Sequence, residues 1–309
     1  MKPSIRLSLV SLVSLFGLSF VAPFVALFVP SSLHAQTLID PATATSTASG
    51  PTPEAEATAD APKAPPATPS TWDRVLGLTT SYRPRYPGAP RRGIKTDPGF
   101  YLRYGRFTVT NAGGFAPRRN EAVPRGLGVD VLRGEKLSAS LSLRYDAGRS
   151  EHGSVAYAGL GNIPKTLRAR MAVSWDFKGP WRLGAAWNAD VMGRGNGGVG
   201  DISGGWEKHL DDQTTLSLSS SLSVGDAHYM QAYYGITPKQ SARSVYPAYQ
   251  ARAGWRDAGV GLGLRHNMAR DWVAVGGLNA TRLLGAAASS PITRSRNGWG
   301  LSGGLGWRF

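Results

Sequence analysis

The stretch "LRARMAVSWDF", Leu167 to Phe177, decides the fold. One set of alternate positions holds Leu167, Ala169, Met171, Val173, Trp175 and Phe177; the other holds Arg168, Arg170, Ala172, Ser174 and Asp176. A period of two is that of a strand with one apolar and one polar face. The alternation also runs long. Strands of soluble proteins average about 5–6 residues, whereas a tilted strand that crosses a bilayer needs about 9–11. Turning an arginine toward lipid near the midplane would cost about 2–4 kcal/mol. Arg168 and Arg170 therefore point inward, and a one-residue slip, which would invert the strand, is forbidden by those charges.

The same scheme recurs in "LSASLSLRYD" (137–146), "WRLGAAWNADV" (181–191) and "GWGLSGGLGWRF" (298–309). Trp72, Tyr82, Tyr104, Tyr145, Trp175, Trp181, Trp299 and Trp307 fall toward strand ends, as in the aromatic girdles of outer-membrane barrels. Short connections near 104–106, 133–136, 178–180, 211–212 and 267–271 alternate with long ones near 84–96, 117–124, 148–164, 193–198, 225–246 and 284–296. This arrangement predicts an all-β fold: an antiparallel up-and-down transmembrane β-barrel of twelve strands, with both ends of the barrel on the short-turn side. Closure would satisfy every backbone N–H and C=O within lipid. In "PAYQARAGWRDAGVGLGLRHN" the apolar parity switches after Trp255, which predicts a bulge near Asp257–Gly259.

The barrel pattern occupies residues 72–309. Residues 1–35 read as a secretory signal peptide, with Lys2 and Arg6 ahead of an uncharged apolar run and "SLHAQ" offering cleavage after Ala35. The run is long enough to span a bilayer, so an uncleaved anchor is the alternative. Residues 36–71, rich in Ala, Pro and Thr, lack the large apolar residues a core needs and read as a disordered linker.

The chain has no cysteine, which excludes disulfides and thiolate metal sites. Its formal charge is +15, and +13 without the two cations of the first 35 residues. Such a balance suits anionic surroundings, but no zinc finger, RNA-binding signature or basic helix points to nucleic acid. His152, His209, His228 and His266 are scattered, and "DAH" (226–228) lacks a nucleophile-elbow context, so no catalytic, metal or cofactor residue is assigned. "GRGNGG" (193–198) follows a strand but opens no helix, and reads as a plain loop.

The inward parity is more informative. It collects Arg103, Arg144, Arg168, Arg170, Arg182, Arg252 and Arg256 with Asp176, Asp190, Asp201 and Glu207. Two readings stand: a salt-bridged lumen that fills a narrow barrel, or a small aqueous path that prefers anions. The long loop 225–246 carries Tyr229, Tyr233 and Tyr234, either as an aromatic binding surface or as a lid over the mouth.

The stretches "SYRPRYPG" (81–88), "AGLGNI" (158–163), "HYMQAYYGITPKQSARSVYPAY" (228–249), "TRLLGAAASSPI" (281–292) and the terminal "GLGWRF" resemble the MipA/OmpV family of outer-membrane proteins. The resemblance covers residues 72–309 and departs at "APRRGIK", which is basic where the family is often acidic. It implies a non-enzymatic barrel in the outer membrane of a Gram-negative bacterium, surrounded by lipid and lipopolysaccharide. The implied role is a scaffold for a murein hydrolase and a peptidoglycan synthase, or else a porin-like channel. Phe309, with Trp307 and Leu305, resembles the terminal signal read by the barrel-assembly machinery.

Overall fold

The computed structural model describes residues 72–112, 115, 126–268 and 271–309. The expected signal peptide and linker, and the expected loop 117–124, lie outside the described residues. The strands are β1 (Trp72–Pro84), β2 (Arg92–Tyr104), β3 (Phe107–Thr110), β4 (Gly126–Arg133), β5 (Leu137–Asp146) and β6 (Thr166–Asp176). They continue with β7 (Trp181–Asp190), β8 (Gly198–His209), β9 (Thr214–Gly225), β10 (Gly254–Asn267), β11 (Trp272–Leu283) and β12 (Asn297–Arg308). Each pairs antiparallel with its sequence neighbours, and β1 pairs with β12 from Val75↔Arg308 to Tyr82↔Leu301, closing a twelve-strand barrel.

The apolar faces are outside. Met171 is 64% exposed, and Leu141, Leu143, Leu167, Val173, Leu218, Leu262 and Leu301 are exposed as well. A second protein layer would bury such side chains, so hydrocarbon is what they meet. Among the described residues no helix is long and apolar enough to cross a membrane; the strands do so.

The first loop is shorter than expected, because β2 takes up Arg92–Thr96, and the fifth is longer, running to Ala253 before β10 starts at Gly254. The register of β10 against β9 shifts between Trp255 and Asp257, so the bulge sits at Arg256, slightly ahead of the expected place. A second shift, between Asp130 and Leu132 of β4, was not expected from the sequence. Strand β3 is only four residues long. The chain leaves the wall after Thr110, and Asn111 replaces the missing ladder: its Oδ1 accepts from Phe100 N (2.8 Å) and its Nδ2 donates to Pro98 O (2.8 Å).

Among the described residues three α-helices stand in the long loops: α1 (Ala227–Tyr234), α2 (Pro238–Ser241) and α3 (Gly285–Ser289). Asp226 caps α1 by accepting from Tyr229 N (2.7 Å), and its other carboxylate oxygen accepts from Gly198 N (2.6 Å), which docks the helix on the start of β8. Gly197 is required there. Its φ is +59°, and a Cβ would stand 2.1 Å from Tyr229 N.

Candidate functional site: the capped lumen

The long-loop mouth is organised around Arg168, near the start of β6 and only 1% exposed. Its Nε donates to Asp146 Oδ2 at the end of β5 (2.6 Å). Its terminal nitrogens donate to Gly197 O (3.0 Å), Asn196 O (3.2 Å) and Tyr233 Oη (3.4 Å). Tyr233 in turn donates to the same Asp146 oxygen (3.1 Å). One guanidinium thus joins two wall strands, the fourth loop and α1. A charge so buried persists because it is paired and its donors are used.

A second anchor comes from the bulge. With Arg256 as the extra residue, Arg256 and Asp257 both turn inward and bond each other. Arg256 also donates to Tyr229 Oη (3.0 Å) and Ser223 Oγ (3.1 Å), and stands 4.0 Å from Asp201. Tyr229 and Tyr233 stack at 4.6 Å between the two arginines. Around them the loops form a small apolar core. Met230, Tyr234, Ala251, Leu283 and Ala287 pack in one group, and Leu160, Ile236, Tyr246 and Ile292 in another, with Tyr86 and Tyr157 against the second. The three expected loop tyrosines are therefore not an exposed aromatic surface: Tyr234 is buried, and Tyr229 and Tyr233 point down onto arginines of the wall. Burial raises the Tyr86, Tyr157 and Tyr234 hydroxyls, and pushes Tyr233 up to about 12. Burial likewise lowers Arg149 in the third loop.

The described residues line two chambers in the lumen that share no lining residue. The smaller, about 300 Å³, is lined by Arg103, Arg133, Arg170 and Arg182 with Asp130, Asp176 and Asp201. Arg103, 3% exposed, donates to Asp130 (2.8 Å), and Arg182 makes a two-point bridge to Asp176 (2.7 and 2.7 Å). The larger, about 1080 Å³, is lined by Arg83, Lys95, Arg144, Asp97 and Asp146 among hydroxyl and amide side chains. Its inner end meets Phe115, fully buried with Val75, Tyr101, Ala112 and Val273 near the short-turn end. Phe115 fits because Gly99 and Gly306 have no side chains; a Cβ on Gly99 would stand 2.5 Å from its ring.

The remaining inward positions divide by role. Asp190 accepts from Thr166 Oγ1, Met192 N (3.1 Å) and Asn196 N (3.1 Å), so it shapes the fourth loop. Asp201 accepts from Asn188 (3.1 Å) and Ser223 (2.8 Å). Glu207 lies near the short-turn end of β8, apart from the mouth cluster. Arg252 does not join the set: it is exposed in the loop ahead of β10. Missing from the expected set are Asp130, Asp146 and Asp257, the carboxylates that the arginines use. Asp146 lay on the polar parity of its strand and was findable; Phe115 had no periodic signal. At the chain end, Phe309 stacks on Trp307 (4.9 Å) and lies under Arg74 (4.7 Å), whose Nε donates to Phe309 O (3.1 Å).

A family model described as "MltA-interacting protein MipA" matches residues 76–309. The chain belongs to that family. It is also 28% identical over 144 residues to "Putative outer membrane protein YiaT" of Escherichia coli (strain K12), a match covering 46% of this chain and 57% of that protein, so the chain spans little more than half of the curated relatives it matches. Looser overlaps of fold exist with the NanC porin (9% identity, 77% of this chain and 100% of that one, TM-score 0.37) and with an anion-selective porin from Comamonas acidovorans (9%, 77% and 99%, TM-score 0.36). At those scores neither carries an argument. The protein is an outer-membrane barrel of the MipA family. The stretches that carry the family resemblance, 81–88, 158–163, 228–249 and 281–292, supply most of the cap: Tyr86, Leu160, Met230, Tyr234, Ile236, Tyr246, Leu283, Ala287 and Ile292 all lie in them.

Proposed function

We propose that this barrel is a non-enzymatic, non-conducting scaffold that holds murein machinery against the outer membrane. The observation that carries the reading is the Arg168 junction, which ties the folded loops to the wall at the mouth. The family description names MltA as partner, and the periplasmic turns, with the linker 36–71, are the surfaces that would meet a murein hydrolase and a peptidoglycan synthase. No metal or cofactor enters the reading. The barrel-assembly machinery would take up the terminal Phe309 signal.

Purified barrel in a planar bilayer tests the reading: silence is expected, together with retention of periplasmic murein enzymes on the immobilised protein. A second reading is a small channel with slight anion preference, favoured by the cations Arg83, Lys95 and Arg144 in the larger chamber. Small anion-selective steps without enzyme retention would select it.

A further inference from the structure

The lipid face carries charge at only a few places. By register, the basic side chains on outward strand positions among the described residues are Arg74, Arg92, Lys208, His266 and Arg282, with no carboxylate. Arg74 is taken up by the chain terminus, and His266 and Lys208 lie at the short-turn rim. That leaves Arg92 and Arg282 at the long-loop rim, which faces the outer leaflet.

These two cations flank one indole. Arg92, outward beside Pro84, reaches across β1 so that its guanidinium lies 4.0 Å above the Trp299 ring, and its Nε donates to Trp299 O (3.3 Å). Tyr82 meets the same indole edge-on at 5.8 Å. Trp299 pairs with Ala280, and Arg282 is the next outward residue on β11. Sheet geometry puts such diagonal neighbours about 7–8 Å apart. Arg92 and Arg282 have no carboxylate partner among the described residues, and Arg92's terminal N–H donors remain open. An arginine stacked on an aromatic face and tethered through Nε loses little further freedom when it takes an anion. No described residue supplies the rim with a counter-ion, and the headgroup layer is where anions lie.

We infer that Arg92, Trp299 and Arg282 form a docking site for a bis-phosphorylated glycolipid of the outer leaflet, one phosphate on each guanidinium and the sugar over the indole. The site sits on the outer wall and is independent of whether the lumen conducts.

The test is native mass spectrometry of the barrel released from nanodiscs containing bis-phosphorylated lipid A, its monophosphorylated form, or phosphatidylglycerol. Wild type should retain the bis-phosphorylated lipid best. The Arg92→Gln/Arg282→Gln double variant should lose retention by about tenfold or more, since each guanidinium–phosphate bond is charge-assisted. Lys208→Gln, at the opposite rim, should bind as wild type does. Arg92→Lys should retain an intermediate amount, because lysine keeps the charge but neither the stacking nor the fork. Heat-modifiable gel mobility confirms closure of each variant, and the two single variants replace the double one should it fail to close. Equal retention of all three lipids, or wild-type retention by the double variant, overturns the assignment.

Discussion

Replacing Arg168 by methionine removes the charge of the junction while keeping a long side chain. In the folded protein this guanidinium is buried at 1% exposure and bonds Asp146, Asn196, Gly197 and Tyr233. Its loss leaves the Asp146 carboxylate with only the Tyr233 hydroxyl and the Gly148 N–H, and leaves two loop carbonyls without their donor. Breaking a buried pair by removing one partner costs about 3–5 kcal/mol. The cost falls on the cap, because Tyr233 and the fourth loop are what the guanidinium gathers, whereas the wall keeps its ladder. Urea titration followed by fluorescence should show a cap transition displaced by about that amount, ahead of barrel unfolding. In a planar bilayer Arg168→Met should open in steps where wild type is silent. Adding Asp146→Asn neutralises the stranded carboxylate, so the double variant should be less destabilised than the sum of the singles. A cap transition moved by under about 1 kcal/mol, with the bilayer still silent, would refute the view that a buried charge, and not the apolar packing, fastens the cap.

Other perturbations reach other parts. Phe115→Ala empties a fully buried site, with an expected cost of about 3–5 kcal/mol; Gly99→Leu displaces the same ring. Made on top of Arg168→Met, both should raise conductance further if Phe115 seals the inner end of the larger chamber, and unchanged traces would argue that another group does so. Burial holds Tyr86, Tyr157, Tyr233 and Tyr234 neutral above the ordinary tyrosine value of about 10. For a group raised on folding, the stabilisation is complete below the unfolded value and is lost as pH climbs through the folded one. The cap should therefore hold up to about pH 10 and loosen toward about 12, where Tyr233 titrates, with absorbance at the phenolate band rising together with conductance. Arg74→Ala frees the Phe309 ring and carbonyl. Refolding into liposomes, read by gel mobility, should slow without a large loss of final stability if Arg74 acts at closure of the β1–β12 seam.

What the sequence made legible follows from where each interaction lies along the chain. A lipid-facing strand is written locally: Leu167 to Phe177 alternate within eleven residues, and two arginines settle which parity faces in. The strands and their order were therefore readable, as was the inward direction of Arg168, Arg170 and Arg182. The cap is written non-locally. Arg168 meets Asp146, Asn196 and Tyr233 across separations of 22 to 65 residues, and no period joins them. Hence the tyrosines could be named without knowing that they face down. The bulge lies between these cases. Parity had to break somewhere between Trp255, outward, and Val260, outward again, and Ala258, the one apolar residue in that interval apart from glycine, is too small to fix the spot. The contacts that fix it are polar. Arg256 needs Ser223 and Tyr229 while Asp257 stays in the ladder opposite Ser223, so the extra residue falls at Arg256. That placement, in turn, brings two adjacent charged residues to the inner face, which strict alternation never allows, and so gives α1 its second anchor. The irregularity in the pattern and the fastening of the cap have the same cause.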